Sequence, residues 1–366
     1  MAAIHLLPTN ATPLEIAFSE TVDVYDRIDA AGIAGMRSFK YAGTPAAFMP
    51  FLVYEYGLGP ISAYHATYAD LLAEGVAWQR LRGTPEALDQ ALGWIGYDAT
   101  TLIDSYSARR WWTRYQIAMG ELPPDGEEDP ILYDAEYLAG LSDPARSIFF
   151  RGFHGYDVRA LEWGDLAWGD AIWGDDSGVR MPNGETVWSH GRTYDLTVAL
   201  TVDQKAALSL TYADGDPVAW DALPWDAPGR SWTEVTDAAA LHAWLIGRMG
   251  AYVGFYDADY APIGYRRAIH VKDVTDALPA VPGTSYAEVL CRTDFGEGYG
   301  SVAAYCRVLF HARPTDLTKP GRLWLAPGEI EIDPAYDPDD TQSDFIALPI
   351  VFGRTIREEV TITVEV

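Results

Sequence analysis

Cysteine is nearly missing from this chain. Cys291 and Cys306 are the only two in 366 residues, too few for a disulfide framework and in keeping with folding in a reducing compartment. The Gly-rich run between them allows neighbouring strands of one hairpin, but two buried free thiols is the plainer expectation. Basic residues are also scarce: 26 Lys+Arg face 53 Asp+Glu, for a formal net charge of −27. Such a polyanion is repelled by phosphate backbones and anionic lipid surfaces, so neither nucleic acid nor membrane is an expected partner. No apolar run approaches the roughly 20 residues of a membrane helix; Ala46 to Tyr54 is cut by Pro50 and followed by Glu55. The opening Met1 to Pro8 lacks the basic start and long apolar stretch of a secretory signal, so export by that route is not expected. The seven histidines, His5, His65, His154, His190, His242, His270 and His311, stand singly without a second at metal-ligand spacing. Phosphate loop, dinucleotide fingerprint, Gly-x-Ser-x-Gly elbow, His-Glu-x-x-His and Cys-x-x-Cys are all absent. No catalytic, cofactor-binding or metal-binding residue is therefore nominated.

What is present is apolar and aromatic. Hydrophobic residues make up 49% and aromatics 13%, with 13 Trp and 22 Tyr, enough for a substantial core and well above ordinary aromatic usage. An acidic, aromatic-rich chain suits two partner classes: proteins, whose interfaces favour Tyr and Trp, and carbohydrates, which stack on rings and bond to carboxylates. The length predicts two or three compact units. Asp257-Ala-Asp259 and Asp337-Pro-Asp-Asp340 bring carboxylates close enough for Ca²⁺, but neither matches a full calcium loop, and solvated acidic turns are the expectation.

The first 121 residues read as helical. Thr12-Pro13-Leu14-Glu15 places a capping hydroxyl, a first-turn proline and an acid in order, predicting a helix to about Ala31. Ala46 to Tyr56 holds more apolar side chains than one face accommodates, so it is expected to be buried among neighbouring helices. Tyr64 to Leu81 predicts a third helix. Gly83-Thr84-Pro85-Glu86 ends one helix and caps the next, in which Ala87, Leu88, Ala91, Leu92 and Ile95 recur at helical spacing. Arg109 to Ala118 looks like a strand. Leu122 to Pro130 reads as a Pro-rich acidic linker. Residues 122–192 are then a linker with the one internal repeat, Trp163-Gly-Asp, Trp168-Gly-Asp and Trp173-Gly-Asp. Period five fits neither helix nor strand and predicts repeated tight turns with the indoles in register, building an aromatic spine or offering a partner surface. From Thr193 to the end the pattern is β, with runs at Tyr194–Val202, Tyr265–Val271, Val302–Phe310, Ile346–Phe352 and Glu359–Val366. One helix, about Asp237 to Met249, is embedded there. The fold class is α+β: a helical N-terminal domain (1–121), a linker and repeat segment (122–192), and a mainly antiparallel β-rich domain (193–366).

Four stretches of the N-terminal third, in this order and spacing, carry a resemblance. They are Leu6-Leu7-Pro8 with Ala11-Thr12-Pro13-Leu14-Glu15; Phe48-Met-Pro-Phe-Leu-Val-Tyr-Glu-Tyr56; Trp78-Gln-Arg-Leu-Arg-Gly-Thr-Pro-Glu-Ala-Leu88 followed by Leu92-Gly93; and Trp112-Thr-Arg-Tyr-Gln-Ile117. Together they resemble the phage tail protein I family, the baseplate wedge component of contractile-tailed phages, over about residues 4–120. The chain departs from the family's basic Arg-Lys-Gly-Thr-Pro motif where Leu81 stands at a usually basic position. The resemblance implies a non-enzymatic structural subunit of the virion tail baseplate, assembled in the host cytoplasm and present in several copies. It would tie the inner baseplate to peripheral parts or tail fibres, with no cofactor. Candidate partner-binding residues are Trp78, Arg80, Arg82, Thr84 and Pro85 at the capped corner, and Trp163, Trp168 and Trp173 in the repeat. The rival reading is a carbohydrate-binding or glycan-hydrolysing protein that uses the Trp/Asp-rich segment.

Overall fold

A computed structural model describes residues 7, 8, 10–21, 44–97, 101–104, 113–120, 128–158, 176–201, 204, 251–278, 286–310, 312–318, 322–334 and 344–365. The Trp-Gly-Asp repeat, the expected helix at 237–249, the loop at Asp337 and the first helix beyond Thr21 lie outside these residues. The chain divides into two compact units, Met1–Trp94 and Ile95–Val366.

Local capping chemistry sets the first unit. Helix α1 spans Pro13–Thr21 behind a reciprocal cap, in which Thr12 N donates to Glu15 Oε2 at 2.7 Å and Glu15 N donates to Thr12 Oγ1 at 3.4 Å. A 3-10 turn at Ala46–Phe48 runs into α2, Met49–Glu55. A second 3-10 segment, Gly59–Tyr64, leads to α3, Tyr68–Leu81, capped by Thr67. Gly83 then turns the chain with φ +88, and Thr84 caps α4, Pro85–Gly93, where the expected corner lies. Leu52, Leu58, Ile61, Leu71, Trp78, Leu88 and Leu92 form the interior. Gly75 belongs to it by having no side chain, since a Cβ there would lie 2.9 Å from Leu58 Cδ2 and 3.0 Å from Ile61 Cδ1.

One expectation for this unit is corrected. The 46–56 segment is not buried all round: Leu52 and Val53 face inward, while Phe48, Phe51 and Tyr54 are 43%, 67% and 91% exposed. The helix packs on α3 by one side, and the apolar residues that exceed one face stay outside.

The second unit is built on two sheets. The larger has eight strands in the order β1-β2-β3-β5-β15-β9-β8, with β4 beside β5; the smaller runs β12-β7-β6-β10-β14. The eight-stranded sheet takes β1 (Thr101–Asp104), β2 (Arg114–Ala118), β3 (Ile148–His154), β4 (Val179–Arg180), β5 (Val187–Ala199), β8 (His270–Asp273), β9 (Tyr286–Arg292) and β15 (Ile356–Glu365). The other holds β6 (Tyr252–Tyr256), β7 (Pro262–Arg267), β10 (Val302–Leu309), β12 (Trp324–Leu325) and β14 (Ile346–Val351), and β11 (Arg313–Pro314) pairs separately with β13 (Ile330–Glu331). Strand β15 alternates buried and half-buried along its length. Its Val360, Ile362 and Val364 join Val289 and Cys291 of β9 in one core with Val253, Phe255, Cys306, Val308, Leu348 and Ile350 of the smaller sheet. Each fully buried aliphatic or aromatic side chain there contributes about 1.5–3 kcal/mol of transfer free energy. Cys291 and Cys306 are free and buried, on facing sheets rather than on one hairpin. Burial pushes the Cys306 thiol up to about 12 and Cys291 higher still.

Two features differ from the sequence reading. The larger sheet is mixed: β2–β3, β3–β5 and β5–β15 pair parallel, the last over ten residue pairs from Ile356↔His190 to Glu365↔Ala199. Period-two alternation fixes which face is buried but says nothing about strand direction. The expected acidic linker is in part a helix, α5, spanning Glu128–Ser142. It makes the crossover that a β2-to-β3 parallel pair requires, with Leu132, Ala135, Leu138 and Ala139 fully buried.

Candidate docking surface and a clamped loop base

In the first unit Phe48, which ends the 3-10 turn, and Phe51 and Tyr54 of α2 follow at three-residue intervals, which places them along one side. The Phe48 and Phe51 rings lie 5.7 Å apart. Gln79 Nε2 donates to Tyr56 O at 2.7 Å, tying the end of α2 to the last turn of α3, where Arg80, Leu81 and Arg82 are exposed. Arg80 and Arg82 are the only Lys or Arg among the described residues of this unit. The Arg82 guanidinium sits 5.2 Å from the Trp78 ring centre. Trp78 itself is only 3% exposed and meets Trp94 edge-on at 5.7 Å. Trp94 in turn donates from Nε1 to Glu74 Oε2 at 2.9 Å. Trp78 is thus the floor under Arg82 and not an outer contact, Thr84 is the cap that turns the corner, and Pro85 is exposed beside it. On α1, Leu14 and Phe18, one helical turn apart, are 79% and 68% exposed. Sequence reasoning missed both apolar faces. The helical spacing at 48, 51 and 54 and at 14 and 18 was the available signal.

Trp163, Trp168 and Trp173 lie outside the described residues, but both ends of their segment are fixed. Ser177 N donates to Val158 O at 2.7 Å, and Val158 N donates to Ser177 Oγ at 3.2 Å. Beneath this bridge Arg151, 0% exposed, donates from Nε to Ser177 O at 2.9 Å and from Nη2 to Ser177 Oγ at 2.6 Å. Its Nη1 reaches Asp157 Oδ1 at 2.6 Å and Gln116 Oε1 at 3.2 Å. Ser177 Oγ accepts twice, so its own proton goes to Ser189 Oγ at 2.8 Å, which donates on to Tyr156 O at 2.8 Å. The chain therefore leaves at Val158 and returns at Ser177 through one point. Nearby His190 is held neutral: burial, then the charges of His154 and Arg192, lower its pKa to about 3.

Among the described residues no group of His, Cys, Asp and Glu is arranged to hold a metal ion, and no helix is long and apolar enough to cross a membrane. What the geometry offers is contact surface: an exposed aromatic row on one helix, and a two-arginine turn at the end of the helix it packs on.

Residues 7–121 match the phage tail protein family Tail_P2_I. The match covers about the N-terminal third, including the capped corner, the exposed α2 face and strands β1 and β2. Neither the curated proteins nor the solved structures gave a match. The family match supports a structural role in a phage tail, with a place in the virion tail and contacts with other tail components.

Proposed function

We propose that the chain is a non-enzymatic wedge subunit of a contractile-tail baseplate, linking the inner baseplate to peripheral parts or tail fibres. The observation that carries this reading is the exposed row Phe48, Phe51 and Tyr54 inside the family-matched segment. Three large aromatics on one short helix and the turn that leads into it, up to 91% exposed, are costly to leave in water and are the residue types that anchor protein interfaces. Arg80 and Arg82, with Thr84 and Pro85 holding their corner over Trp78, form the polar rim of this contact. Trp163, Trp168 and Trp173 provide a second contact. The net charge of −27 supports protein partners over nucleic acid or membrane.

The test is complementation of a phage lacking the gene. Wild-type chain is expected in purified tails at a fixed number of copies per particle. Tyr54→Asp, which adds a charge at an exposed position and spares the core, should yield soluble chain and few assembled baseplates. A chain that is absent from tails, or that as a purified monomer hydrolyses a polysaccharide, refutes the reading.

A further inference from the structure

We propose that Asn183 is a site of spontaneous covalent modification, deamidation to aspartate and isoaspartate through attack by the Gly184 nitrogen, and that helix α5 sets its rate by gripping the turn. Asparagine is as rare as cysteine in this chain: Asn10 and Asn183 are the only two. Asn10 precedes an alanine, whose methyl group hinders ring closure, whereas Asn183 precedes a glycine, which has no side chain to obstruct it. Asn183 is exposed, so water reaches the reacting group. The reaction needs water as its one co-reactant. The Gly184 nitrogen gives up its proton to solvent base and attacks Cγ of Asn183; the N–Cγ bond forms, the Cγ–Nδ2 bond breaks and ammonia leaves. Water then opens the five-membered imide at either carbonyl, giving aspartate, or isoaspartate with the main chain routed through the side chain. Nothing is oxidised or reduced.

The fold restrains the first step. Met181, Pro182, Asn183 and Gly184 form a tight turn in which Gly184 N donates to Met181 O at 3.0 Å, with Pro182 at its second position and Asn183 at its third with φ +65. The proton that must leave is thus engaged while the turn is closed. Helix α5 holds it closed from one side: Glu136 Oε1 accepts from Glu185 N at 2.7 Å and from Thr186 N at 3.3 Å, and Tyr133 Oη donates to Pro182 O. Glu136 Oε2 lies against Gly184, 3.0 Å from where a Cβ would stand. Met181 and Thr186, 2% and 1% exposed, anchor the two ends in the interior. Modification therefore waits on local opening, whose frequency these bonds set. Once formed, the product adds a negative charge to a turn that already carries Glu185 and touches Glu136, and isoaspartate lengthens its main chain, so the grip is weaker afterwards.

Peptide mass spectrometry of the full chain, aged in mildly alkaline buffer, tests this. The peptide containing Asn183 should gain the small mass that replaces an amide NH2 by OH and should be labelled by an isoaspartyl methyltransferase, while the peptide containing Asn10 stays unchanged. The mass gain separates the reaction from isomerisation at aspartates, which leaves mass unaltered. In urea the same site should convert faster, because the turn is open. Folded Glu136→Ala should convert about tenfold faster than wild type, the factor carried by one charge-assisted hydrogen bond in an opening equilibrium, and Glu136→Gln, which keeps an acceptor oxygen, should fall between the two. If circular dichroism shows Glu136→Ala unfolded, Tyr133→Phe, which removes only a hydroxyl, tests the same grip and should also speed conversion. Asn183→Gly, whose backbone suits the turn, should fold and gain no mass. The inference is overturned if Asn183 stays unmodified in folded wild type and variants after the urea sample has converted, if folded and urea samples convert at the same rate, or if Asn10 converts first.

Discussion

Replacing Arg151 by Met removes the guanidinium but keeps much of the stem's packing, so the energetic effect isolates the clamp. Four hydrogen bonds between 2.6 and 3.2 Å disappear. The Ser177 carbonyl and Gln116, both in an interior where Gln116 is 2% and Ser177 1% exposed, lose a donor, at about 1–3 kcal/mol for each group left unsatisfied. The Asp157 carboxylate loses its counter-ion, but its side chain is 27% exposed, so water recovers part of that loss. Breaking a buried pair from one side costs about 3–5 kcal/mol, and the partial exposure of Asp157 places this case towards the lower end. In urea, with a slope of about 2–3 kcal/mol per molar for a unit of this size, the midpoint of the second unit should fall by roughly 1–1.5 M. Adding Asp157→Asn to Arg151→Met should recover about 1 kcal/mol, because the carboxylate charge that Arg151 faced is then gone. A fall below about 0.3 M would show that the Val158–Ser177 bridge holds without the arginine, and the clamp argument would be wrong.

Asp143 accepts a hydrogen bond from Tyr115 Oη, and burial raises its carboxyl from the ordinary 3.8 to about 6. A carboxyl whose folded value is raised favours the folded state below about pH 4, and that contribution is lost as pH rises through 6. Asp143→Asn keeps the acceptor without the charge. It should therefore stabilise the second unit at pH 8 by about 1 kcal/mol, after discounting a half-exposed group for solvent screening, and give no gain at pH 4; melting temperatures at both values decide it. Gly152→Ala would set a Cβ 2.4 Å from Cζ3 of the fully buried Trp188, and the rigid ring should make this overpacking cost about 2–3 kcal/mol by urea denaturation. Thr84→Ala removes the α4 cap, whose Ala87 N···Oγ1 distance is 3.4 Å; calorimetry should show a loss of about 0.5–1 kcal/mol, largely restored in Thr84→Ser.

Features governed by neighbours in sequence were the readable ones. The Thr12 and Thr84 caps, the buried positions of α4 and the alternation of β15 each follow from residues within one or two turns or a single strand. Strand β15 was assignable, but its parallel partner β5 lies more than 150 residues earlier, and no local pattern announces that pairing. Helix α5 was hidden for a different reason. Pro123, Pro124 and the acids before Pro130 signal a loop, and they outweighed Leu132, Ala135, Leu138 and Ala139, whose spacing marked a buried helical stripe. On the docking surface, counting apolar residues in 46–56 identified an excess but not its destination, because burial depends on how many neighbours a helix has. Trp78 misled in the opposite direction: its tryptophan chemistry suits an interface, yet its position on α3 points it at Trp94. The Arg151 clamp joins residues 116, 151, 157, 177 and 189, a set with no period and no motif, so only the folded chain brings it together.

The family match ends at residue 121, three residues after β2, and that limit cuts across the architecture. Strand β2 is interior to its sheet: Ile117 is 0% exposed and Gln116 2%, and its parallel partner β3 begins at Ile148, beyond the matched stretch. The Gln116 side chain also serves the Arg151 clamp. The matched segment therefore comprises one compact unit ending at Trp94 and a β1–β2 hairpin whose second strand needs a neighbour from outside the match to satisfy its backbone groups. In this chain β3 meets that need, α5 covers the junction, and the same strand carries the arginine that closes the base of the Trp-Gly-Asp segment. The hairpin is thus where family-matched sequence joins a sheet completed by strands from outside the match.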